Sequence, residues 1–456
     1  MNFELLINNQ HTFFNTNKTK DIGFRTEQLK KLKKIIKQNE TLLYQAIYKD
    51  FKKSEFDTYT CELLILYSDI NTALNNIDTW STRKDVKTNF FNFPASSYIL
   101  PEPLGTSLII GAWNYPYQLS LGPAIAAIAA GNTVVLKPSE VALNTSKAIA
   151  EIINTNFPPE YFTVIEGGVA ETTELLKLKF DKIFFTGSTS TGRIVYEAAA
   201  KNLTPVTLEL GGKSPAFITK DCNLKASVKR LVWGKFLNAG QTCIAPDYVL
   251  VDADIEEKFI AALKEYVIKS DYSLANNNYV QIINDKHFNR LVNLIDNKKV
   301  CFGGKYNSVE RYIEPTILTS VSFEDEIMKE EIFGPLLPVI SYTNIDAAIA
   351  EVKKKHKPLS CYVFTNDKAI KDKILSEISF GGGCINDSLM HIANDNLPFG
   401  GVGTSGTGSY HGEAGFKTFS HYKSILEKPF WFEPNFKYPP YSKRKLNLIK
   451  RLKSLM

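Results

Sequence analysis

Apolar positions along this chain follow two periods. Leu29, Leu32, Ile36, Leu42, Leu43 and Ile47 recur at helical spacing among lysines over residues 25–50, which predicts helix with a charged face, and a second helical run covers residues 60–80. From Thr106 the pattern shifts to short apolar runs at residues 107–110, 133–136, 162–165 and 182–185, separated by helical stretches at 122–130 and 146–153. Strands alternating with helices predict a parallel sheet with crossover helices. A helix over residues 221–234 and a strand over 248–251 open a second α/β set that runs to about residue 380. Between the early helices and the first strand, the aromatic, proline-bounded stretch 90–101 reads as an extended excursion or edge strand.

A chain of 456 residues exceeds what one hydrophobic core usually organises, so two lobes of about 200 residues each are expected. Hydrophobic and charged fractions of 44% and 22% are those of an ordinary globular protein. The six cysteines form no Cys-x-x-Cys pair, and the chain opens without a charged-then-apolar leader, so free thiols and a cytoplasmic setting are expected. No apolar run approaches the roughly 18–20 residues that span a bilayer. The net charge of +6 is concentrated at the end, where residues 423–456 hold nine Lys or Arg against two Glu. The body is therefore close to neutral, which argues against a nucleic-acid surface.

Three stretches carry candidate chemistry. Asn238-Ala239-Gly240-Gln241-Thr242-Cys243 sets a cysteine on a glycine-containing loop between helix and strand, where it can be presented as a nucleophile. An isolated cysteine is more often a small buried hydrophobe, so Cys243 needs company. Leu208-Glu209-Leu210-Gly211-Gly212-Lys213 places a carboxylate in an apolar run, a candidate base. Gly111-Ala112-Trp113-Asn114-Tyr115-Pro116 ends a strand with an amide suited to donate to developing negative charge. The usual Gly-x-Gly-x-x-Gly fingerprint is missing; in its place Phe185-Thr186-Gly187-Ser188-Thr189-Ser190-Thr191-Gly192 runs from a strand into a helix whose N-terminus suits a pyrophosphate.

Together with Lys137-Pro138-Ser139-Glu140 and Glu330-Glu331-Ile332-Phe333-Gly334-Pro335, these motifs resemble those of the aldehyde dehydrogenase superfamily, closest to its class 3 branch of fatty and aromatic aldehyde dehydrogenases. The resemblance implies an α/β fold with a Rossmann-type NAD-binding domain (1–81 and 102–210), a catalytic domain (211–410), an oligomerisation arm (82–101 and 411–432) and a basic amphipathic tail (433–456). It implies catalysis by Cys243, Glu209 and Asn114. Trp113, Lys137, Glu140, Gly187, Ser188, Gly192, Glu331 and Phe333 would bind the cofactor, with Lys137 and Glu140 on the adenosine ribose. Glu140 would repel a 2′-phosphate, so NAD is expected over NADP, as a preference only. Tyr115, Leu119 and Phe399 would line an apolar substrate tunnel, and Asn386 would support Cys243. Tyr410 stands where class 1 and 2 relatives carry a glutamate, and His411 reads as structural, with no metal site expected.

The expected reaction is NAD(P)-dependent oxidation of medium- or long-chain or aromatic aldehydes to acids through a thiohemiacetal and a thioester, by a homodimer. One rival is acyl transfer to coenzyme A or phosphate, against which Glu209 speaks. Another is a catalytically silent binding protein, against which the intact cysteine, asparagine and glutamates speak. The tail has apolar residues at helical spacing with basic residues between, a pattern that can lie on anionic lipid or dock on protein.

Overall fold

The strand-length runs become Thr106–Ile110, Thr133–Lys137, Phe162–Val164, Lys182–Thr186 and Val206–Glu209 in a computed structural model that describes residues 2–453. All five are parallel. Thr106–Ile110 is central, with Thr133–Lys137 and Phe162–Val164 on one side and Lys182–Thr186 and Val206–Glu209 on the other. Strand order therefore reverses beside Thr106–Ile110, and open α/β sheets hold ligands in the crevice outside the carboxyl ends at such a point.

Successive side chains alternate between two cores. Ile109, Val134, Leu136 and Phe184 face the helices Pro116–Ala130 and Leu143–Asn154, while Leu108, Ile110, Val135, Ile183 and Phe185 meet Leu6, Ile7, Leu175, Val195 and Ala199 on the other face. Both faces are dry, which is why the runs are continuously apolar rather than alternating.

Three local features depart from the sequence expectation. A helix Phe3–Asn15 precedes the anticipated ones; Asn2 accepts its Leu5 amide at 3.1 Å, and the buried Gln10 amide donates to Val134 O at 3.1 Å and Pro159 O at 2.9 Å. The 25–50 run splits into Ile22–Gln38 and Glu40–Phe51, because Asn39 turns its Nδ2 back onto Ile35 O at 2.8 Å. The stretch 90–101 is not an edge: Ser96–Pro103 is the middle strand of an antiparallel sheet between Lys84–Val86 and Ser420–Glu427.

The second lobe is a seven-stranded sheet in the order Val300–Phe302, Thr316–Leu318, Leu336–Tyr342, Tyr248–Asp252, Pro215–Ile218, Ser360–Phe364, Gly382–Ile385, parallel except for the first strand. Near residue 410 the chain returns to the first lobe. Gly406–Thr407 pairs antiparallel with Val206–Glu209 of the first sheet, and helix Gly412–Thr418 packs Phe416 on Trp80, centroids 5.6 Å apart. The tail forms the helix Lys443–Leu452, and Ser454, Leu455 and Met456 lie outside the described residues. Among the described residues no helix is long and apolar enough to cross a membrane.

Candidate active site

Helix Leu224–Phe236 delivers the cysteine loop, and the backbone then makes a left-handed turn through Asn238 (φ 54°), Ala239 (φ 53°) and Gly240 (φ 71°). Left-handed conformation costs a residue with a Cβ about 1–2 kcal/mol, so the surroundings must enforce it. Asn238 Nδ2 donates to Asn114 O at 3.0 Å and Gln241 O at 3.1 Å. Gln241 is fully buried, donating to Asn238 O and Gln281 O at 3.1 Å each and accepting from the Ile283 amide at 3.0 Å. A Cβ at residue 240 would stand 2.3 Å from Gly334 O, so glycine there lets the cysteine loop touch the Glu331 segment.

The Asn114 stretch closes on the same loop. Asn114 Nδ2 donates to Gln241 O at 3.1 Å, and Tyr115 OH meets Thr242 Oγ1 at 2.7 Å, so the residues flanking the candidate amide hold those flanking the thiol. Cys243 itself is half-buried. Burial, then the charges of Glu331 and Glu209, push its thiol up, while the Cys243 and Ile244 amides favour the thiolate.

A fully buried ion pair sets the angle of helix Pro116–Ala130. Lys53 Nζ meets Glu62 Oε1 at 2.7 Å, and Glu62 Oε2 accepts the Tyr117 amide at 2.8 Å and the Gln118 amide at 3.4 Å. Glu62 thus caps the first turn in place of the unfavourable cap residue Tyr115, at the end of the helix dipole that favours an anion. Lys53 also stands 4.1 Å from the Tyr115 ring centroid. The pair was not anticipated. A carboxylate in the apolar run Cys61-Glu62-Leu63-Leu64-Ile65 is the same signal that singled out Glu209.

Glu209 ends its strand 3% exposed, and neither carboxylate oxygen has a hydrogen-bond partner among the described residues. Desolvation raises its pKa well above the carboxylate range. The neighbouring Tyr410 hydroxyl is likewise without a partner, and it feels the Glu209 charge. An uncompensated buried carboxyl is costly to stability, and such groups concentrate at reactive sites.

Glu331 sits against the glycine pair that follows Glu209: a Cβ on Gly211 would fall 1.9 Å from Glu331 Oε2. Burial and the nearby Asp247 push the Glu331 pKa to about 8, against the Gly212 amide, Lys213 and Arg290, which lower it. Lys213 bonds Asp247 and the carbonyls of Ile327 (2.9 Å) and Glu330 (2.8 Å), tying the two motifs together. Phe333 is held at φ 49°, a strained value for a bulky residue, with its ring edge-on to Trp113 at 5.4 Å.

At the first sheet, Lys137 ends its strand and bonds Glu140 Oε2 and Pro138 O at 2.8 Å each; Glu140 is partly exposed. Ser188 caps helix Thr189–Ala200, accepting the Thr191 amide at 3.3 Å. The two glycines of this turn have engaged amides. The Gly187 amide is spent on Glu209 O (3.0 Å) and the Gly192 amide on Ser188 O (2.9 Å). A Cβ at residue 192 would also come 2.6 Å from Leu210 Cδ2, so the position is closely packed.

Leu119 lies one helical turn beyond Tyr115, and both are buried. Phe399 belongs to an aromatic group with His391, Tyr410 and His411, joined to Tyr410 through paired backbone bonds of 3.0 and 2.8 Å. The Asn386 side chain bonds Thr365 N at 2.9 Å and Thr365 O at 2.8 Å, and its carbonyl accepts from Arg230 on the helix that delivers the cysteine loop.

A family model described as the aldehyde dehydrogenase family matches residues 3–425. The 4,4'-diaponeurosporen-aldehyde dehydrogenase of Staphylococcus aureus is 47% identical over 443 residues, 96% of each chain. The dimeric NADP-preferring aldehyde dehydrogenase of Mus musculus is 44% identical, over 96% of this chain and 98% of that protein. The solved substrate-bound state of Staphylococcus aureus AldH superposes with a TM-score of 0.97 at 46% identity, covering 99% of this chain and 100% of that one. With this fold and these motifs in place, the chain belongs to the aldehyde dehydrogenase family, in its class 3 branch, and is an aldehyde-oxidising enzyme.

Proposed function

We propose that this enzyme oxidises hydrophobic aldehydes to carboxylic acids through a covalent intermediate on Cys243, with NAD preferred over NADP. The observation that carries the reading is the meeting of three separate motifs: the Asn114 amide on the cysteine loop, Cys243 half-buried, and Glu209 buried beside it without a partner.

Cys243 as thiolate attacks the carbonyl carbon, and the Asn114 amide with the Cys243 N–H receives the charge that moves to oxygen. Asn114 Nδ2 is already within 3.1 Å of the loop carbonyl, so a small turn redirects it. NAD, when bound, supplies the hydride acceptor, and loss of hydride leaves a thioester. Burial holds the Glu209 carboxyl protonated well above the usual range, so it must first give up its proton; as the carboxylate it takes a proton from water, and the hydroxide attacks the thioester carbonyl, breaking the carbon–sulfur bond and releasing the acid and the Cys243 thiolate. The residues present fit a dinucleotide: the capped helix N-terminus at Ser188 for phosphates, Lys137 and Glu140 for a ribose, and Glu331 with Phe333 and Trp113 at the reacting end. Glu140 underlies the NAD preference, although the mouse relative is named NADP-preferring.

Tyr115, Leu119 and Phe399 support an apolar tunnel and substrates with aliphatic or aromatic tails. The three-stranded arm supports a homodimer. Beside the basic helix Lys443–Leu452, the exposed Phe430, Trp431, Tyr441, Leu446 and Leu448 support contact with an anionic lipid surface.

The test is NADH formation with purified protein, NAD or NADP, and a panel of aliphatic and aromatic aldehydes. Wild type should turn over with the higher kcat/KM on NAD, and Cys243→Ala should bind NAD without turnover; an active Cys243→Ala removes the reading.

A further inference from the structure

Outside the reaction path, three chemistry-bearing side chains meet that nothing above employs. Asp69 comes from helix Leu64–Ser81, Asp395 from the segment after the turn Met390–Ala393, and His411 from the start of helix Gly412–Thr418. One ligand atom from each lies within 4.8 Å of the other two. We propose that Asp69, Asp395 and His411 form a binding site for a divalent transition-metal ion such as Mn2+ or Zn2+.

The second observation is the state of His411. Its side chain is 1% exposed, neither ring nitrogen has a hydrogen-bond partner among the described residues, and Nδ1 points at Asp69 Oδ1 from 4.0 Å. Asp69 Oδ1 is also without a partner. Buried donors and acceptors are normally satisfied, so two facing orphans mark a missing partner. Asp395 is oriented by Ser68 Oγ (2.9 Å) and Thr72 Oγ1 (2.7 Å), both on Oδ2. That is the kind of outer support metal-binding carboxylates have.

Ligand chemistry and space agree. One imidazole with two carboxylates suits Mn2+ or Zn2+ better than Ca2+ or Mg2+, which favour all-oxygen sets. Ligand atoms around such an ion stand about 3 to 3.5 Å apart, so each side chain here needs to shift by roughly 1 Å or less. A cavity of about 20 Å3 beside Asp69, Tyr410 and His411 leaves room for an ion or a water that completes its coordination. An ion there would join the long helix to both ends of the 395–411 segment, which carries Phe399 and Tyr410. Its effect would be to hold the substrate end of the site rather than to take part in the oxidation.

The test uses the full-length protein, stripped with EDTA, dialysed and loaded with Co2+ or Mn2+ alone. Wild type should retain one metal per chain through gel filtration, with Co2+ ligand-field bands and no sulfur-to-cobalt band, and should melt at higher temperature with metal. Asp69→Asn and Asp395→Asn should lower metal affinity about tenfold or more while circular dichroism keeps the metal-free fold. His411→Gln serves as the further variant if either does not fold. No retained metal, retention unchanged in these variants, or a sulfur-to-cobalt band that marks a cysteine site would overturn the proposal. Metal retention is read without aldehyde turnover, so it stands or falls apart from the catalytic reading.

Discussion

Two glutamates are buried in this protein, and it treats them in opposite ways. Glu62, fully buried, has every demand met: Lys53 neutralises it and the first amides of helix Pro116–Ala130 occupy its second oxygen. Glu209, nearly as buried, meets neither a cation nor a donor among the described residues. The first pocket fixes where Asn114 and Tyr115 sit; the second keeps a carboxyl in a state where it can exchange a proton. The same side chain becomes structural or reactive according to whether the fold satisfies it.

The contrast can be broken from the structural side first. Glu62→Gln leaves Lys53 buried without a counter-charge and should destabilise the protein by about 3–5 kcal/mol, read from urea unfolding. Replacing both partners, Lys53→Met with Glu62→Leu, should recover most of that loss, because apolar pairs often substitute for buried ion pairs without net cost. Failure to recover would mean that the cap on Tyr117, not the ion pair, carries the stability.

Next in size is the candidate oxyanion donor. Asn114→Ala should lower kcat by about 10²- to 10³-fold, some 2.7–4 kcal/mol, with KM for aldehyde changed far less. A rise in KM alone would make Asn114 a binding residue and remove it from oxyanion stabilisation.

The smallest effect carries the opposite sign. Glu209→Gln should stabilise the ligand-free protein by about 1–3 kcal/mol near neutral pH, since the wild-type carboxyl must take up a proton on folding whereas the amide is uncharged in both states. The unfolded carboxyl ionises near 4.5, the folded one only well above it. Between those values the folded state holds the extra proton, so wild-type stability falls as pH rises and the advantage of Glu209→Gln should grow from pH 5 to pH 8. An advantage independent of pH would mean that Glu209 is paired in solution.

What the sequence disclosed follows from the range of each signal. The alternating strands and helices, with the six motifs, were legible because periodicity and turn chemistry are local. Partners were not. Lys53 follows another lysine and reads as one of a charged face, and only the folded chain brings it to Glu62 and Tyr117. At Gly192 small residues before a helix serve both ligand approach and helix packing, and the nearness of Leu210 is a second demand for glycine that the local sequence does not show. The left-handed Ala239 was invisible, since alanine carries no preference for that conformation and the hydrogen bonds of Asn238 and Gln241 impose it. The three side chains around His411 come from positions 69, 395 and 411, too far apart in the chain for any spacing rule.

The most direct measurement of the central claim is stopped-flow NADH formation by Glu209→Gln with a hydrophobic aldehyde. If Cys243 forms the thioester and Glu209 activates the water that clears it, the first turnover should proceed near the wild-type rate, giving a burst of one NADH per active site before slow steady-state turnover. A first turnover slowed as much as the steady state, with no burst, would contradict the account and place Glu209 in the attack on the aldehyde instead.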